Sequence, residues 1–451
     1  MKKISISLLS IILIVIIYLA QIFITGIYKQ KGKIICHDVI NYYAYLPATF
    51  IEKDYKLREW KYEEPWKDRY WPRILANGNG VMKMSMGLSM MYAPFFFIAH
   101  FITPYTTYES NGFTPPYALA LIFSCIFYMF WGLLALRKVL LKSFNETITT
   151  ITLLTICLTT NLYWYATMEA PMSHAYSFAL FGIFIYFTEC WYQKQSIKNT
   201  VILGLLYGLI TLIRPTNALV IILFAGYGIK NISDLKMRIQ FLFSNYRHIF
   251  IFTFSTFIVL LPQLLYWKST TGQFVYYSYG ETERFFFKDP KIWDVLFGFR
   301  KGWFIYSPSM LFAVVGMFFL WKYKKEYALI TPIYIILHLY IISSWWCWWY
   351  GGGFGMRACI ECSAVLSIPL AAFLKWMFSQ KMKIKVLLIS LYVVVSLQSG
   401  FHLIQYHYEA IHYESMTHKA YKDSFWKIKP SDKFHTLLKT PAYSEARKGN
   451  R

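Results

Sequence analysis

Long apolar runs restrict what this chain can fold into more than any other feature of its sequence. Residues Ile4–Ile24 form a near-continuous apolar run of membrane-spanning length, and Val386–Gly400 is only slightly shorter than a span. Of the 451 residues, 57% are hydrophobic and only 15% are charged, which excludes a soluble protein. The first run lacks a small-residue cleavage site, so we interpret it as an uncleaved span rather than a signal peptide. The sequence therefore predicts an all-α polytopic membrane protein.

Positive charge predicts the orientation of the chain in the membrane. The formal net charge of +23 is compatible with nucleic-acid binding, but the Lys and Arg residues lie mainly in short loops between apolar segments. Such loops face the cytoplasm, which places Lys2 and Lys3 there together with alternate later loops. This parity predicts about eleven transmembrane helices. It also predicts a transmembrane domain over 1–402 with large outer loops at 27–115 and 268–307, followed by a short outer-face tail at 403–451.

Two segments resist a simple assignment. Segment 86–104 is apolar, but a crossing there would place Arg137, Lys138 and Lys142 outside, so we expect it to lie along or dip into the outer leaflet. Segment 199–229 is long enough for one helix. An arginine at mid-membrane costs at least about 2.5 kcal/mol, so we expect two short spans that meet at Arg214 on the outer side.

The run SSWWCWWYGGGFGMR (Ser343–Arg357) is the most informative stretch for function. Trp345, Trp346 and their aromatic neighbours have the composition of a membrane–water interface. Three glycines allow close backbone approach, and Arg357 stands at the head of the next span. This combination suits a lipid-linked anionic substrate that enters from the bilayer. The alternative is an ordinary aromatic belt with an arginine that extends to the interface.

Two outer-face positions offer carboxylates. Asp38 follows the first span closely and precedes Tyr42 and Tyr43; it is a candidate general base, or simply the cap of a short helix. Glu169 begins a span with His174 one turn further on. These two side chains are candidates for orienting a substrate or binding a divalent cation, although a glutamate at a helix start also complements the helix dipole.

Outer-face cations near span ends are candidates for binding phosphate. Arg357 and Arg214 are the best of these because a glycine-rich turn and a proline hold them, and Lys83 is a further candidate. For Arg300 and Lys301 we expect side chains that extend to the interface, and for Glu281 and Glu283 we expect solvated carboxylates.

The seven cysteines give little functional signal. Only Cys359 and Cys362 form a close pair, and one such pair is a weak indication of a metal or redox site, so helical core is the favoured interpretation. The C-terminal histidines His402, His407 and His412 are five residues apart and miss a common helix face.

Four segments together resemble the GT-C superfamily of integral-membrane glycosyltransferases, which includes the protein O-mannosyltransferases and the aminoarabinose transferases of lipid A. They are HDVINYYAYLPATF, KMSMGLSMMYAPFFFIAH, MEAPMSHAYSF and WWCWWYGGGFGMR, and LIRPTN is similar to bacterial members. By this resemblance, Asp38 matches the family's first-loop catalytic carboxylate and Glu169 the acidic residue of the second outer loop. Arg357, Arg214 and Lys83 match positions that hold a polyprenyl-phosphate donor.

The resemblance implies a bacterial inner-membrane enzyme with its active site on the periplasmic face. It would move a hexosyl or pentosyl group from a polyprenyl-phosphate donor to a hydroxyl of a lipid, glycan or protein, with inversion and with Asp38 as general base. Tyr42, Tyr43, His174, Trp345 and Trp346 would contact substrate, and a divalent metal at Glu169 and His174 is possible. A lipid or polysaccharide transporter is the alternative, since it shares the aromatic belts and cations but does not need Asp38. A non-catalytic membrane assembly factor would need none of the outer-face polar residues.

Overall fold

The structure is a computed structural model that describes residues 5–60 and 69–451. Helices dominate the described part of the chain, and its only strands are a two-stranded antiparallel pair of two residues each. The prediction of an all-α polytopic membrane protein is therefore confirmed. Lys2 and Lys3, on which the predicted orientation partly rests, lie outside the described residues, as does 61–68 of the first outer loop.

The N-terminal part contains one long helix and several short elements. Ser5 caps the long helix by accepting a hydrogen bond from the Leu8 N–H, and Gly26 ends it in the left-handed conformation that glycine adopts most readily. The elements of this part are α1 (Ile6–Thr25), α2 (His37–Tyr43), α3 (Tyr45–Phe50), β1 (Arg73–Ile74), β2 (Gly80–Val81) and α4 (Gly87–Ile102).

The central part continues with α5 (Pro115–Leu141), α6 (Glu146–Thr159), α7 (Leu162–Thr167), α8 (Ser173–Gln193), α9 (Ile197–Ile213) and α10 (Ile221–Gly226). Arg214 is extended at the end of α9, and Pro215 opens a 3-10 turn that leads into α10. Proline cannot continue the hydrogen-bond ladder of α9, so the helix stops before it. The predicted break at Arg214-Pro215 is confirmed.

The C-terminal half contains both spans and short connecting helices. They are α11 (Ile232–Ser244), α12 (Tyr246–Thr271), α13 (Ile292–Phe297), α14 (Trp303–Tyr306), α15 (Met310–Gly316), α16 (Leu320–Tyr323), α17 (Ile330–Ser343), α18 (Cys362–Phe378), α19 (Met382–His407), α20 (His418–Ser424) and α21 (Tyr443–Lys448). The chain after α19 packs back onto the body, because Ile411, Met416 and Phe434 share a buried cluster with Tyr306 and Phe354. A domain boundary at 402 stays a prediction.

Six helices in the described residues are long and apolar enough to cross a membrane, and five shorter apolar helices accompany them. The apolar run Val386–Gly400 lies within α19, and nearly all of the described part of Ile4–Ile24 lies within α1. Segment 86–104 contains α4, which by length and composition is also able to cross. Two hydrogen bonds join α4 to α5. Tyr128 of α5 donates to the Met91 carbonyl of α4, and His100 of α4 pairs with Tyr117 of α5. The predicted surface or dipping position of α4 stays a prediction.

Small residues permit the most extensive helix pairings, which are α9 with α12 and α5 with α8. A Cβ on Gly132 would lie 2.5 Å from the Ala179 Cα, and one on Gly204 would lie 2.5 Å from the Phe252 carbonyl oxygen. The Thr256 hydroxyl also donates to the Gly204 carbonyl at 3.0 Å. Backbone-to-backbone packing of this kind is how helices associate where lipid offers no hydrophobic driving force.

The predicted topology is tested by reporter fusions along the outer loops and the loop after α5. Residue 140 should report cytoplasmic, since Arg137, Lys138 and Lys142 favour that side, and residues 60, 110, 290 and 430 should report external. A fusion at residue 196 serves as a second cytoplasmic control. An external signal at 140, or a cytoplasmic one at 110, would contradict the topology and the surface position of α4.

Candidate functional site

Two cavities share part of their lining. The cationic cavity, of about 390 Å³, is lined by Asp38, Tyr42, Lys83, His174, Arg214, Glu283, Trp345, Trp346, Tyr350, Arg357, Tyr443 and Arg447. The glycine-loop cavity, of about 1040 Å³, is lined by residues that include Lys33, His37, Asp38, Trp164, Glu169, Gly351, Gly352, Gly353, Arg357 and His407. Asp38 and Arg357 line both cavities and so mark their junction.

An ion pair occupies this junction. The Arg357 Nη2 lies 3.1 Å from the Asp38 Oδ2, and the side chains are 16% and 35% exposed. Asp38 is in the first turn of α2, whereas Arg357 opens the 3-10 turn after the glycine loop, so the pair joins elements 319 residues apart. Burial lowers the pKa of Arg357, but the Asp38 carboxylate outweighs this and raises that pKa above its usual value. The guanidinium is therefore a permanent cation with donors directed at the junction.

The glycine loop depends on backbone conformations that side chains resist. Tyr350, Gly351, Gly353 and Gly355 have positive φ angles. A Cβ on Gly353 would lie 2.3 Å from the Tyr165 hydroxyl oxygen, so only glycine fits there. The loop therefore brings bare backbone to the wall of the second cavity, immediately before Arg357.

Lys301 supports the loop from beneath. Its ammonium group donates to the carbonyls of Gly353 and Tyr413, and the residue is only 2% exposed. Burial, aided by the nearby Arg357 cation, lowers the pKa of Lys301 to about 7. The expectation that Lys301 extends to the interface is wrong, because two buried carbonyls satisfy its donors.

Arg214 is held by a carboxylate that the sequence analysis missed. The Arg214 Nη1 and the His174 Nδ1 lie 3.3 Å and 3.1 Å from the same Glu361 oxygen. Glu361 is 1% exposed and Arg214 17%, so the carboxylate lies behind the arginine that lines the cationic cavity. A glutamate inside the apolar run ACIECSAVL was the available signal, since a charge buried in a span needs a partner.

A second carboxylate binds two cations at the other end of the cationic cavity. Glu283 Oε2 lies 2.8 Å from Lys83 Nζ, and Glu283 Oε1 lies 3.4 Å from Arg447 Nη2. The Arg447 guanidinium also stacks over the Trp346 ring at 4.8 Å. Glu283 is 8% exposed, so its expected solvation is wrong. Arg447 comes from the C-terminal segment, where the sequence analysis sought no site residue.

Glu169 and His174 face different surroundings. Glu169 Oε1 accepts a hydrogen bond from Trp164 Nε1 at 2.9 Å and lines the glycine-loop cavity, whereas His174 lines the cationic cavity. Burial raises the pKa of Glu169, and the Trp164 hydrogen bond and the Arg357 charge oppose that rise. Glu169 and His174 thus line different cavities, and a metal ion shared by the two stays a prediction.

The aromatic residues predicted to contact substrate fall into two groups, those that line a cavity and one that does not. Tyr42, Trp345 and Trp346 line the cationic cavity, and the Tyr42 hydroxyl donates to Ser173 Oγ at 3.4 Å. Tyr43 is fully buried and its hydroxyl donates to the Gly112 carbonyl at 2.6 Å. Tyr43 lines neither cavity, because its position on α2 directs the ring into the core, and we do not retain it as a site residue.

No family model matches this chain, and no curated protein matches it. Among solved structures it is similar to the archaeal oligosaccharyltransferase AglB from Archaeoglobus fulgidus in complex with an inhibitory peptide and a dolichol-phosphate. The two sequences are 11% identical, the match covers 94% of this chain and 60% of that chain, and the TM-score is 0.49. It is also similar to the apo form of the Archaeoglobus fulgidus oligosaccharyltransferase, with 13% identity, 97% and 61% coverage, and a TM-score of 0.48. This chain thus spans about three fifths of each structure.

The buried carboxylate behind Arg214 gives a stability prediction. Glu361→Gln leaves the Arg214 guanidinium without its counter-ion, and breaking a buried pair costs up to about 3–5 kcal/mol, less here because Arg214 is partly exposed. Thermal unfolding in detergent should show a clear loss of stability, partly recovered in the double variant Glu361→Gln/Arg214→Gln. Glu445→Gln, at an exposed pair with Lys448, is the control and should change the midpoint little. Strictly additive losses in the double variant would contradict the pairing.

Proposed function

We propose that this chain is a multi-pass glycosyltransferase of the bacterial inner membrane that moves a sugar from a polyprenyl-phosphate donor to an acceptor hydroxyl. The reaction would take place on the periplasmic face, with inversion and with Asp38 as general base. One observation supports this most. Among the described residues that line the two cavities, Asp38 is the only carboxylate that lines both. A base for transfer between two substrates belongs at such a junction, within reach of both.

The cationic cavity suits the donor. Arg357, Arg214 and Lys83 supply positive charge for a phosphate, and an arginine fork matches phosphate oxygens with two parallel hydrogen bonds. Tyr42, Trp345, Trp346 and other aromatic side chains give the same cavity an apolar wall for the first isoprene units. The larger glycine-loop cavity would then take the acceptor, with Glu169 as a positioning residue on its wall.

The proposed step is a single displacement. The acceptor oxygen forms a bond to the anomeric carbon while the bond from that carbon to the phosphate oxygen breaks. The electron pair of the breaking bond leaves with the lipid phosphate, and the acceptor proton passes to the Asp38 carboxylate. Arg357 has two tasks in this scheme, since it holds the Asp38 carboxylate in an ion pair before reaction and stabilises the phosphate that leaves. A phosphate is already a good leaving group, so the scheme needs no second carboxylate as acid.

The role of Asp38 is tested by Asp38→Asn, which keeps the shape of the side chain and removes the proton acceptor. Sugar transfer from a panel of polyprenyl-phosphate hexoses and pentoses should fall by about 10²- to 10⁴-fold. Binding of polyprenyl phosphate to the same preparation should persist, because the cations of the cavity remain. Asp294→Asn is the matched control, since Asp294 is likewise in the first turn of a short helix but lines neither cavity. Its transfer rate should equal that of the unmodified protein.

Two results would contradict this assignment in different ways. Full transfer by Asp38→Asn would remove the catalytic role from Asp38 while leaving the enzyme class intact. An unmodified protein that binds polyprenyl phosphate but transfers no sugar from any donor of the panel would favour the lipid or polysaccharide transporter instead.

The role of Arg357 is tested by its effect on donor binding. A charge-assisted hydrogen bond contributes about 1.5–3 kcal/mol, so Arg357→Ala should raise the Kd for polyprenyl phosphate by roughly ten- to hundredfold. Arg357→Lys should recover only part of this, since an ammonium group lacks the planar fork. Arg73→Ala is the control, because Arg73 is an exposed arginine of the first outer loop that lines neither cavity. Unchanged affinity in both Arg357 variants would leave this arginine with a structural role only.

A further inference from the structure

A second cluster of reactive side chains lies outside both cavities. His338 of α17, Cys359 of the 3-10 turn and Cys362 of α18 each present one ligand atom, and these three atoms lie within 4.8 Å of one another. His338 is 4% exposed and both cysteines are fully buried. In the described part of the chain this is the only such group of three histidine, cysteine or acidic side chains. The sequence showed only the cysteine pair, because His338 comes from a different helix.

The histidine is held in the form that binds a metal. Its Nε2 lies 2.8 Å from the Ala358 carbonyl oxygen, and a carbonyl only accepts, so Nε2 carries the hydrogen. The Nδ1 of the neutral ring then keeps its lone pair. Ligating histidines usually donate their second ring N–H to a carbonyl or carboxylate in this way, which fixes the ring and raises its basicity.

Two buried polar atoms beside the cluster lack partners. The Tyr334 hydroxyl, one helical turn before His338, is fully buried and has no hydrogen-bond partner among the described residues. The same holds for the Oε2 of Glu361, which lies between the two cysteines in the chain. The Tyr334 ring stacks on that of His338, with the ring centroids 5.7 Å apart. An unpaired buried hydroxyl costs about 1–3 kcal/mol, whereas a metal-bound thiolate would accept its hydrogen.

We propose that His338, Cys359 and Cys362 form a binding site for a thiophilic divalent cation of the zinc type. Two thiolates and a neutral imidazole are the ligands that Zn²⁺ prefers. Each thiol releases its proton to solvent as its bond to the metal forms, so the dication and two thiolates leave the buried site without net charge. A neutral complex avoids the large cost of placing an isolated charge in an apolar interior.

The site would tie α17 to the start of α18. Cys359 comes two residues after Arg357, and Cys362 directly follows Glu361, so the metal would fix the segment that carries both groups. Its role would be structural, because none of the three ligands lines either cavity.

The test uses the full chain in detergent, loaded with Zn²⁺ or Co²⁺ alone after reduction and removal of excess metal. We expect about one metal ion per chain and, with Co²⁺, the charge-transfer absorption that thiolate ligands produce. His338→Gln and Cys362→Ser should lose the ion and the absorption band. Cys125→Ser is the control, because Cys125 is also a fully buried thiol but lies outside the cluster, and it should retain both.

Alkylation of the unmodified protein keeps the test decisive if a variant fails to fold. Bound Zn²⁺ should slow the modification of Cys359 and Cys362 under partial denaturation and leave that of Cys125 unchanged. Three results would overturn the proposal: no stoichiometric metal, metal retained equally in every variant, or no protection from alkylation. A Cys359–Cys362 disulfide would also overturn the proposal if it forms in protein purified without reductant and persists when metal is supplied. It would be detected as the loss of two hydrogens in mass.

Discussion

The region around the two cavities depends on the pairing of charges that are withdrawn from water. A buried charge without a partner costs several kcal/mol, so the carboxylates of the site pair with cations or, like Glu169, accept a hydrogen bond. Asp38 pairs with Arg357, Glu361 with Arg214, and Glu283 with Lys83 and Arg447. These pairs join the segment between α1 and α4, the break after α9, the glycine loop and the C-terminal segment. Helix packing builds the frame, and the ion pairs determine how the loops above it are arranged.

This pairing also makes each charged group part of more than one local structure. Arg357 follows the glycine loop, and that loop is held by Lys301, which in turn binds the Tyr413 carbonyl of the C-terminal segment. The position of the junction between the cavities thus depends on residues that touch neither substrate in the proposed scheme. Such supporting contacts are what hold reacting groups within the small tolerance that catalysis requires.

The sequence predicted the parts of this arrangement that are local. Apolar length gave the helices, Pro215 indicated the break at Arg214, and consecutive glycines before Arg357 indicated a tight turn with an arginine at its end. It did not predict which carboxylate meets which cation. Glu361 and Glu283 were overlooked or placed in solvent, because their partners are far away in the chain and only the folded structure brings them together. The same reason explains why His338 was not connected with Cys359 and Cys362.

The bridge at Glu283 has a consequence for what the cationic cavity can recognise. Lys83 and Arg447 are already neutralised by an internal anion, and Arg357 and Arg214 each have one as well. In the proposed scheme, an arriving anionic head group therefore meets cations that already have a carboxylate partner, and it has to share or compete for them. Arg357 has room for such sharing, because its Nε has no hydrogen-bond partner among the described residues. Neutral lipids carry no negative charge to bind these cations and would leave the internal ion pairs intact.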